Sequence, residues 1–218
     1  MTGLPFPEWL SQNLADVIFR TQQHFLLSIY CVALAAAVGL TLALLTYRSV
    51  TLPNASIAVI AVAFTIPSVA LFGFVYSITG NALLTFIPVV SMYGLLPITR
   101  NAIVGLQSAD PGVIDAARGM GVGSFRMLWQ IRFPIAWPVI LAGLRVSTQL
   151  TVGILAIGAF IGDFGLGIFG FNALNNLGSV NTGNQALACV IFVAAVALVF
   201  DGIFVVIRRL TTPRGARV

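Results

Sequence analysis

Apolar and polar positions divide this chain on the scale of whole helices. Five apolar runs cover about residues 25–46, 55–78, 82–106, 137–161 and 185–207. Each is long enough, at ~1.5 Å rise per residue, for a hydrocarbon core ~30 Å thick. The pattern predicts an all-α, polytopic helix bundle with five transmembrane helices, folded as a single domain over residues 1–218. Pro67 interrupts the second run, and Pro88 and Pro97 interrupt the third. Such breaks free carbonyls that a neighbouring helix, a hydroxyl or water must satisfy, so they point to a packing kink or a wet pathway. Ahead of the first run, Leu10, Leu14, Val17 and Ile18 recur at near-helical spacing behind Trp9. Residues 1–23 are therefore predicted to form a short amphipathic helix in the interface, with Trp9 as a headgroup-level anchor. The Gly- and Asn-rich stretch from Asp163 to Gly183 is too polar to span, yet it carries Phe164, Phe169 and Phe171. It predicts a short surface helix or lid.

The third and fourth runs are separated by a polar, small-residue segment, 110–134. Asp110-Pro111 opens it as a helix start, since Asp caps orphan N–H groups and Pro at N1 has none to satisfy. Gly119, Gly121 and Gly123 predict the end of that helix. Ser124 is placed to cap a second short helix, Phe125 to Phe133, which Pro134 ends. On it, Phe125, Leu128, Trp129 and Arg132 share one face. A helix–turn–helix with one small-residue arm and one aromatic arm is shaped to dock into a groove, although shape alone also fits an ordinary loop.

Composition narrows the classes. The chain is 59% hydrophobic and 8% charged, with a mean hydropathy of +1.02, which only bilayer-spanning helices accommodate. Its net charge of +5 comes from arginine alone, as there is no lysine. The arginines sit at span ends rather than in a cluster, which argues against nucleic acid as a partner and for the lipid bilayer. Arg48, Arg100, Arg118, Arg126, Arg132, Arg208, Arg209, Arg214 and Arg217 share one side if the spans number five. The positive-inside rule then puts the N-terminus outside and the C-terminus in the cytoplasm. No basic n-region marks a cleavable signal. Cys31 and Cys189 lie in apolar runs as small buried hydrophobes, and the single histidine, His24, reads as an interfacial residue.

No catalytic triad, metal cluster or paired intramembrane carboxylate is visible, and without lysine there is no Walker P-loop. The chain is therefore read as no enzyme and as holding no cofactor itself. Two charges do stand inside spans. Arg145 lies about eleven residues past Pro134, and Asp201 about two turns before Arg208. A charge in a span is costly, so the two are predicted to pair and hold the fourth and fifth spans together. Ser147, Thr148, Gln149 and Thr151 cluster on the fourth span as pathway-lining candidates, with helix–helix hydrogen bonding the more frequent use of such residues.

The spacing Asp115-Ala116-Ala117, then Gly121, then Ile131-x-Phe133-Pro134 resembles the "EAA" signature of ABC-importer permeases, with Asp for Glu and Phe for Leu. Other stretches resemble the osmoprotectant branch of that family, which imports glycine betaine, choline or carnitine. These are Gln23 to Ser28, Ile66 to Leu71, Tyr93 to Asn101, Ala142 to Arg145, and Ile161-Gly162 through Gly165-Leu166-Gly167, where Asp163-Phe164 depart from the usual pattern. The resemblance implies a type I importer permease whose coupling helix, carried by Asp115, Ala116, Ala117, Gly121, Ile131 and Pro134, enters a cleft on an ATP-binding subunit. It implies a bacterial inner-membrane location, a second copy or sister permease, an extracytoplasmic substrate-binding protein, and ATP and Mg held by the partner ATPase. A permease for methionine or another small amphiphile is the runner-up; a secondary transporter or channel is the alternative from another class.

Overall fold

The computed structural model describes residues 3–212, so Arg214 and Arg217 lie outside the described residues. Helix α1 runs unbroken over Phe6–Thr46, 41 residues and about 62 Å, twice the thickness of a hydrocarbon core. The separate interfacial helix expected over residues 1–23 is thus the first half of one rod. The reason is compositional: Pro5 and Pro7 sit at its start, where a missing N–H costs nothing, and no glycine or proline occurs from Glu8 to Val38. Trp9 is no headgroup anchor either. It is buried in a cluster with Val17 and Leu166, edge-on to Phe169 with ring centroids 6.0 Å apart.

The second apolar run forms two helices, α2 (Leu52–Phe64) and α3 (Ser68–Thr79), which meet at 88°. Pro67 forces the break, and the hydroxyl of Tyr93 donates to the carbonyl of Ile66 exposed there. Ile57 of α2 packs with Ala43, Tyr47 and Leu106 at one end of the bundle, while Phe72 of α3 stacks on Phe86 at the other. Phe86 and Leu106 belong to α4 (Ala82–Gln107) and are about 30 Å apart along it, so the bent pair makes one full crossing. Pro88 and Pro97, expected to interrupt that span, are instead carried inside one unbroken 26-residue helix. Packing on both sides holds it where propensity would break it.

Short helix α5 (Pro111–Gly119) follows, then α6 (Ser124–Arg126), a π-helical turn at Met127–Arg132, and α7 (Phe133–Ile157). A 3₁₀ turn at Gly158–Phe160 leads to α8 (Gly167–Asn175), and α9 (Thr182–Thr211) closes the chain. Helices α1, α4, α9 and the continuous Ser124–Phe160 stretch are each long and apolar enough to cross a membrane; the α2–α3 pair supplies the fifth crossing.

Helices α1, α4 and α7 meet at a junction of small residues. A Cβ on Gly94 of α4 would lie 2.7 Å from Ser147 Oγ of α7 and 3.0 Å from the Ala35 methyl of α1. Ser147 Oγ donates to the Gly94 carbonyl at 2.9 Å, a bond that only this close approach permits. Gly143 sits equally tightly against Pro97 and Asn101 one turn along the same seam.

Gly94→Val is therefore expected to overpack the junction by ~1–3 kcal/mol and to lower the thermal midpoint of detergent-solubilised protein. Gly153→Val, which meets nothing within 4 Å, should leave it unchanged. Equal midpoints for the two variants would show that the junction carries no such constraint.

Candidate coupling surface and intramembrane ion pair

The polar segment folds by its own local chemistry. Asp110 is the N-cap of α5, its Oδ1 accepting from the N–H groups of Gly112 at 2.7 Å and Val113 at 3.3 Å, with Pro111 at N1. The helix ends in a Schellman turn. Val122 N–H donates to Ala117 O at 3.0 Å and Gly121 N–H to Arg118 O at 2.9 Å, with Gly121 at φ +78°. Only a residue without Cβ adopts that conformation cheaply, which is the physical demand behind the glycine of the motif.

The motif residues divide between two tasks. Ala117 is buried with Ile114, Ala109 and Met127, and Val122 and Ile131 pack on the same cluster. These seat α5 against the following helix. Asp115 and Ala116 face outward, Asp115 in an exposed 3.3 Å ion pair with Arg118. Around them Val113, Met120 and Phe125 are exposed, the last two at 78% and 75%. Apolar groups left bare beside the small, exposed Ala116 make an apolar patch on the surface of the segment.

The second arm differs from expectation. Gly123, not Ser124, occupies the N-cap position of α6, and the Ser124 hydroxyl caps nothing. Pro134 does not end the helix: α6, the π turn and α7 are continuous, and Pro134 occupies the first turn of α7. Proline removes one donor from the ladder, and the preceding turn widens so that Phe133 N–H reaches Leu128 O. The wider turn also splits the predicted face. Phe125, Trp129, Phe133 and Trp137 form an i, i+4 ladder with centroids 6.3, 5.1 and 5.7 Å apart. Arg132 turns inward and donates to Leu106 O at 2.7 Å.

Arg145 and Asp201 meet in the membrane as a bidentate pair between α7 and α9. Nε to Oδ1 is 2.5 Å and Nη2 to Oδ2 is 2.7 Å, with Gln149 Nε2 donating to Oδ1 at 3.1 Å. The pair is open on one side, its side chains 42% and 26% exposed. Of the other pathway-lining candidates, Ser147, Thr148 and Thr151 are sealed. Ser147 bonds across to α4, Thr148 bonds back to Leu144 O, and all three are buried among helices. They are seam residues in this conformation rather than a pathway wall, because the glycine-mediated approach of α4 covers them.

At the opposite end, one face of α1 grips the turn before α8. Arg20 donates to the Asp163 carbonyl at 2.8 Å and carboxylate at 3.0 Å, and also pairs with Asp16. Gln23 Oε1 accepts from Gly165 N–H at 2.8 Å. His24, expected in the interface, is fully buried; its Nδ1 accepts from Leu166 N–H at 3.2 Å while Nε2 faces Val152 O at 3.1 Å. These contacts tie three parts of the chain together. Their i, i+3, i+4 spacing was visible in the sequence, but it carries meaning only on a continuous α1.

Comparison with known proteins agrees with this architecture. The family model for the inner membrane component of binding-protein-dependent transport systems matches residues 17–212. A glycine betaine/carnitine/choline transport system permease protein of Bacillus subtilis, OpuCD, is 36% identical over 178 residues, 80% of this chain and 78% of that protein. The osmoprotectant import permease protein OsmW of Salmonella typhimurium is 32% identical over 214 residues, 96% of this chain and 98% of that one. Among solved structures, an inward-facing MetNI methionine ABC transporter chain superposes with a TM-score of 0.70 at 21% identity, covering 94% of this chain and 98% of that one, which establishes the fold. The chain belongs to the family of binding-protein-dependent transport system inner membrane components, as a multi-pass permease subunit of an ABC importer.

Proposed function

We propose that this permease imports a quaternary-ammonium osmoprotectant of the glycine betaine, choline or carnitine class. The observation that carries the reading is the end-to-end match, 32% over 214 residues, to a relative named as an osmoprotectant importer. The methionine transporter shares the fold at 21% identity, too little to carry a substrate across. Two ATP-binding subunits, holding ATP and Mg, supply the energy. An extracytoplasmic binding protein delivers the substrate, and a second copy or sister permease completes the pathway.

In this reading α5 is the coupling helix. Ala116 and the bare Val113 and Met120 enter the ATPase cleft, while Ala117 and Ile131 transmit the displacement to α7 through the packed cluster. Because α6, the π turn and α7 form one continuous helix, movement of α5 passes straight into the fourth crossing. Arg48, Arg118, Arg126 and Arg132 gather at this end, so the positive-inside rule assigns it to the cytoplasm and the start of α1 to the outside. The Arg145–Asp201 pair keeps α7 and α9 moving together, since separating the partners would leave bare charges in the bilayer.

Ala116→Trp, at an exposed position, is expected to cut the ATPase co-purified with this chain by about tenfold or more, as steric exclusion from a cleft would. The variant should keep the wild-type elution profile and helical signal. Capture equal to wild type would remove α5 from the coupling role, and uptake of labelled glycine betaine without any ATPase would overturn the importer reading.

For the ion pair, Asp201→Ala and Arg145→Ala should each reduce folded protein in the membrane several-fold. The swapped double variant, Arg145→Asp with Asp201→Arg, should recover most of it. Single variants that accumulate and transport like wild type would show that the pair does not hold the helices together.

A further inference from the structure

A cleft of about 400 Å³ opens behind the coupling segment, at the ends of several crossings. Tyr47 and Arg48 reach it from the end of α1, Gln107 from the end of α4, Arg118 from α5, Ser124 from α6, and Arg132 from the π turn before α7. Among the described residues no carboxylate lines it. Arg48 donates to Tyr47 Oη at 2.7 Å and to Ser124 O at 3.3 Å, and Arg132 donates to Leu106 O at 2.7 Å. Both guanidinium carbons lie over the Tyr47 ring, at 5.4 and 5.7 Å from its centroid. Arg118 pairs with the exposed Asp115, its one ion-pair partner among the described residues. A guanidinium has five N–H donors, so after these bonds each of the three keeps at least three.

Converging like charges repel, and nothing in the described residues neutralises Arg48 or Arg132. The aromatic face of Tyr47 offsets part of that repulsion and holds two guanidiniums in place, donors free. We infer that the cleft binds a phosphate-bearing anion, bridging the coupling segment to the ends of α1 and α4. A phosphate offers several oxygens at tetrahedral angles and suits multiple guanidinium forks, whereas a single carboxylate engages one. The level of the cleft fits as well. It stands where Tyr47 closes α1 and Gln107 closes α4, at the ends of two crossings, and the exposed Trp129 lies in the same segment as Arg132, which is the setting of lipid headgroups. An anionic headgroup or free inorganic phosphate would present the same chemistry. Either would couple the stiffness of α5 against the bundle to occupancy of the cleft, independently of which solute the permease carries.

The test uses the full chain, delipidated and then placed in phosphatidylcholine nanodiscs or detergent. Native mass spectrometry after adding phosphatidylglycerol or phosphatidylcholine reads the lipid source. Thermal stabilisation by inorganic phosphate in the phosphatidylcholine discs reads the free-anion source. Wild type is expected to retain phosphatidylglycerol over phosphatidylcholine, and Arg48→Gln with Arg118→Gln to weaken that retention about tenfold or more. Both of those residues are exposed, so helical content should not change. Arg132→Lys keeps the charge but loses the fork, and should weaken retention as well. Arg100→Gln with Arg126→Gln removes the same charge outside the cleft and should retain the lipid as wild type does. Phosphate stabilisation without lipid retention, abolished by the same cleft variants, assigns the site to a free anion. An equal fall in both double variants would show only general basicity and overturn the site. No response to either probe, with the Arg48/Arg118 variant losing captured ATPase instead, would overturn it in favour of a partner carboxylate.

Discussion

The close approach of α1, α4 and α7 at Gly94 is the constraint on which the rest of this structure depends. In a bilayer the hydrophobic effect does not distinguish helix–helix from helix–lipid contact, so association must come from tight packing and hydrogen bonds. The Gly94–Ser147 bond supplies both at one point, and Gly143 repeats the tight approach one turn away. With that seam fixed, α4 can carry two prolines without breaking, because its neighbours hold the helix where its own ladder is weakened. The same seam buries Ser147, Thr148 and Thr151, while Gln149 and the Arg145–Asp201 pair stay open on the α7–α9 side.

Two ends of this core are finished by different chemistry. At the end nearest α8 the fastening is polar: Arg20, Gln23 and His24 hold the turn that leads into α8. At the opposite end it is largely apolar: Ala117, Ile114, Met127 and Ile131 seat α5 on the helix that becomes α7. The contrast suits a transporter. In the proposed coupling role, a short amphipathic helix resting on one small cluster is the element a partner would displace, and no break separates the π turn from α7. The turn before α8 is fixed instead by directional bonds from Arg20, Gln23 and His24 on one α1 face.

Much of this was legible in the sequence, and the parts that were not share a cause. Hydrophobic run length alone located the crossings, and capping chemistry located α5, since Asp110, Pro111 and Gly121 each meet a local backbone demand. The Arg145–Asp201 contact was readable because an intramembrane charge has few affordable states. What escaped was tertiary. Whether Pro67 breaks a helix while Pro88 and Pro97 do not depends on neighbours that the sequence does not list in order. The burial of Trp9 and His24 depends on α1 being twice as long as a bilayer requires, which brings its first half against α8 and its flanking turn. Ser124 looked like a cap and Pro134 like a stop because both are judged on local rules, and the π turn between them is the device that lets those rules be broken.

The π turn also explains why the basic cleft exists. A regular α-helix from Ser124 onward would keep Arg132 on the same stripe as Phe125, Leu128 and Trp129, as its spacing suggests. Widening the turn separates them, leaving Phe125 and Trp129 exposed and sending Arg132 inward onto the Leu106 carbonyl and the Tyr47 ring. The widened turn is itself a consequence of Pro134, whose missing N–H removes the bond that would have kept the ladder in register. The proline of the coupling motif thus does more than start α7. It rotates a cation from the outer stripe into the bundle, where it faces Arg48 and Arg118 across the cleft, and so joins the coupling segment to the ends of α1 and α4.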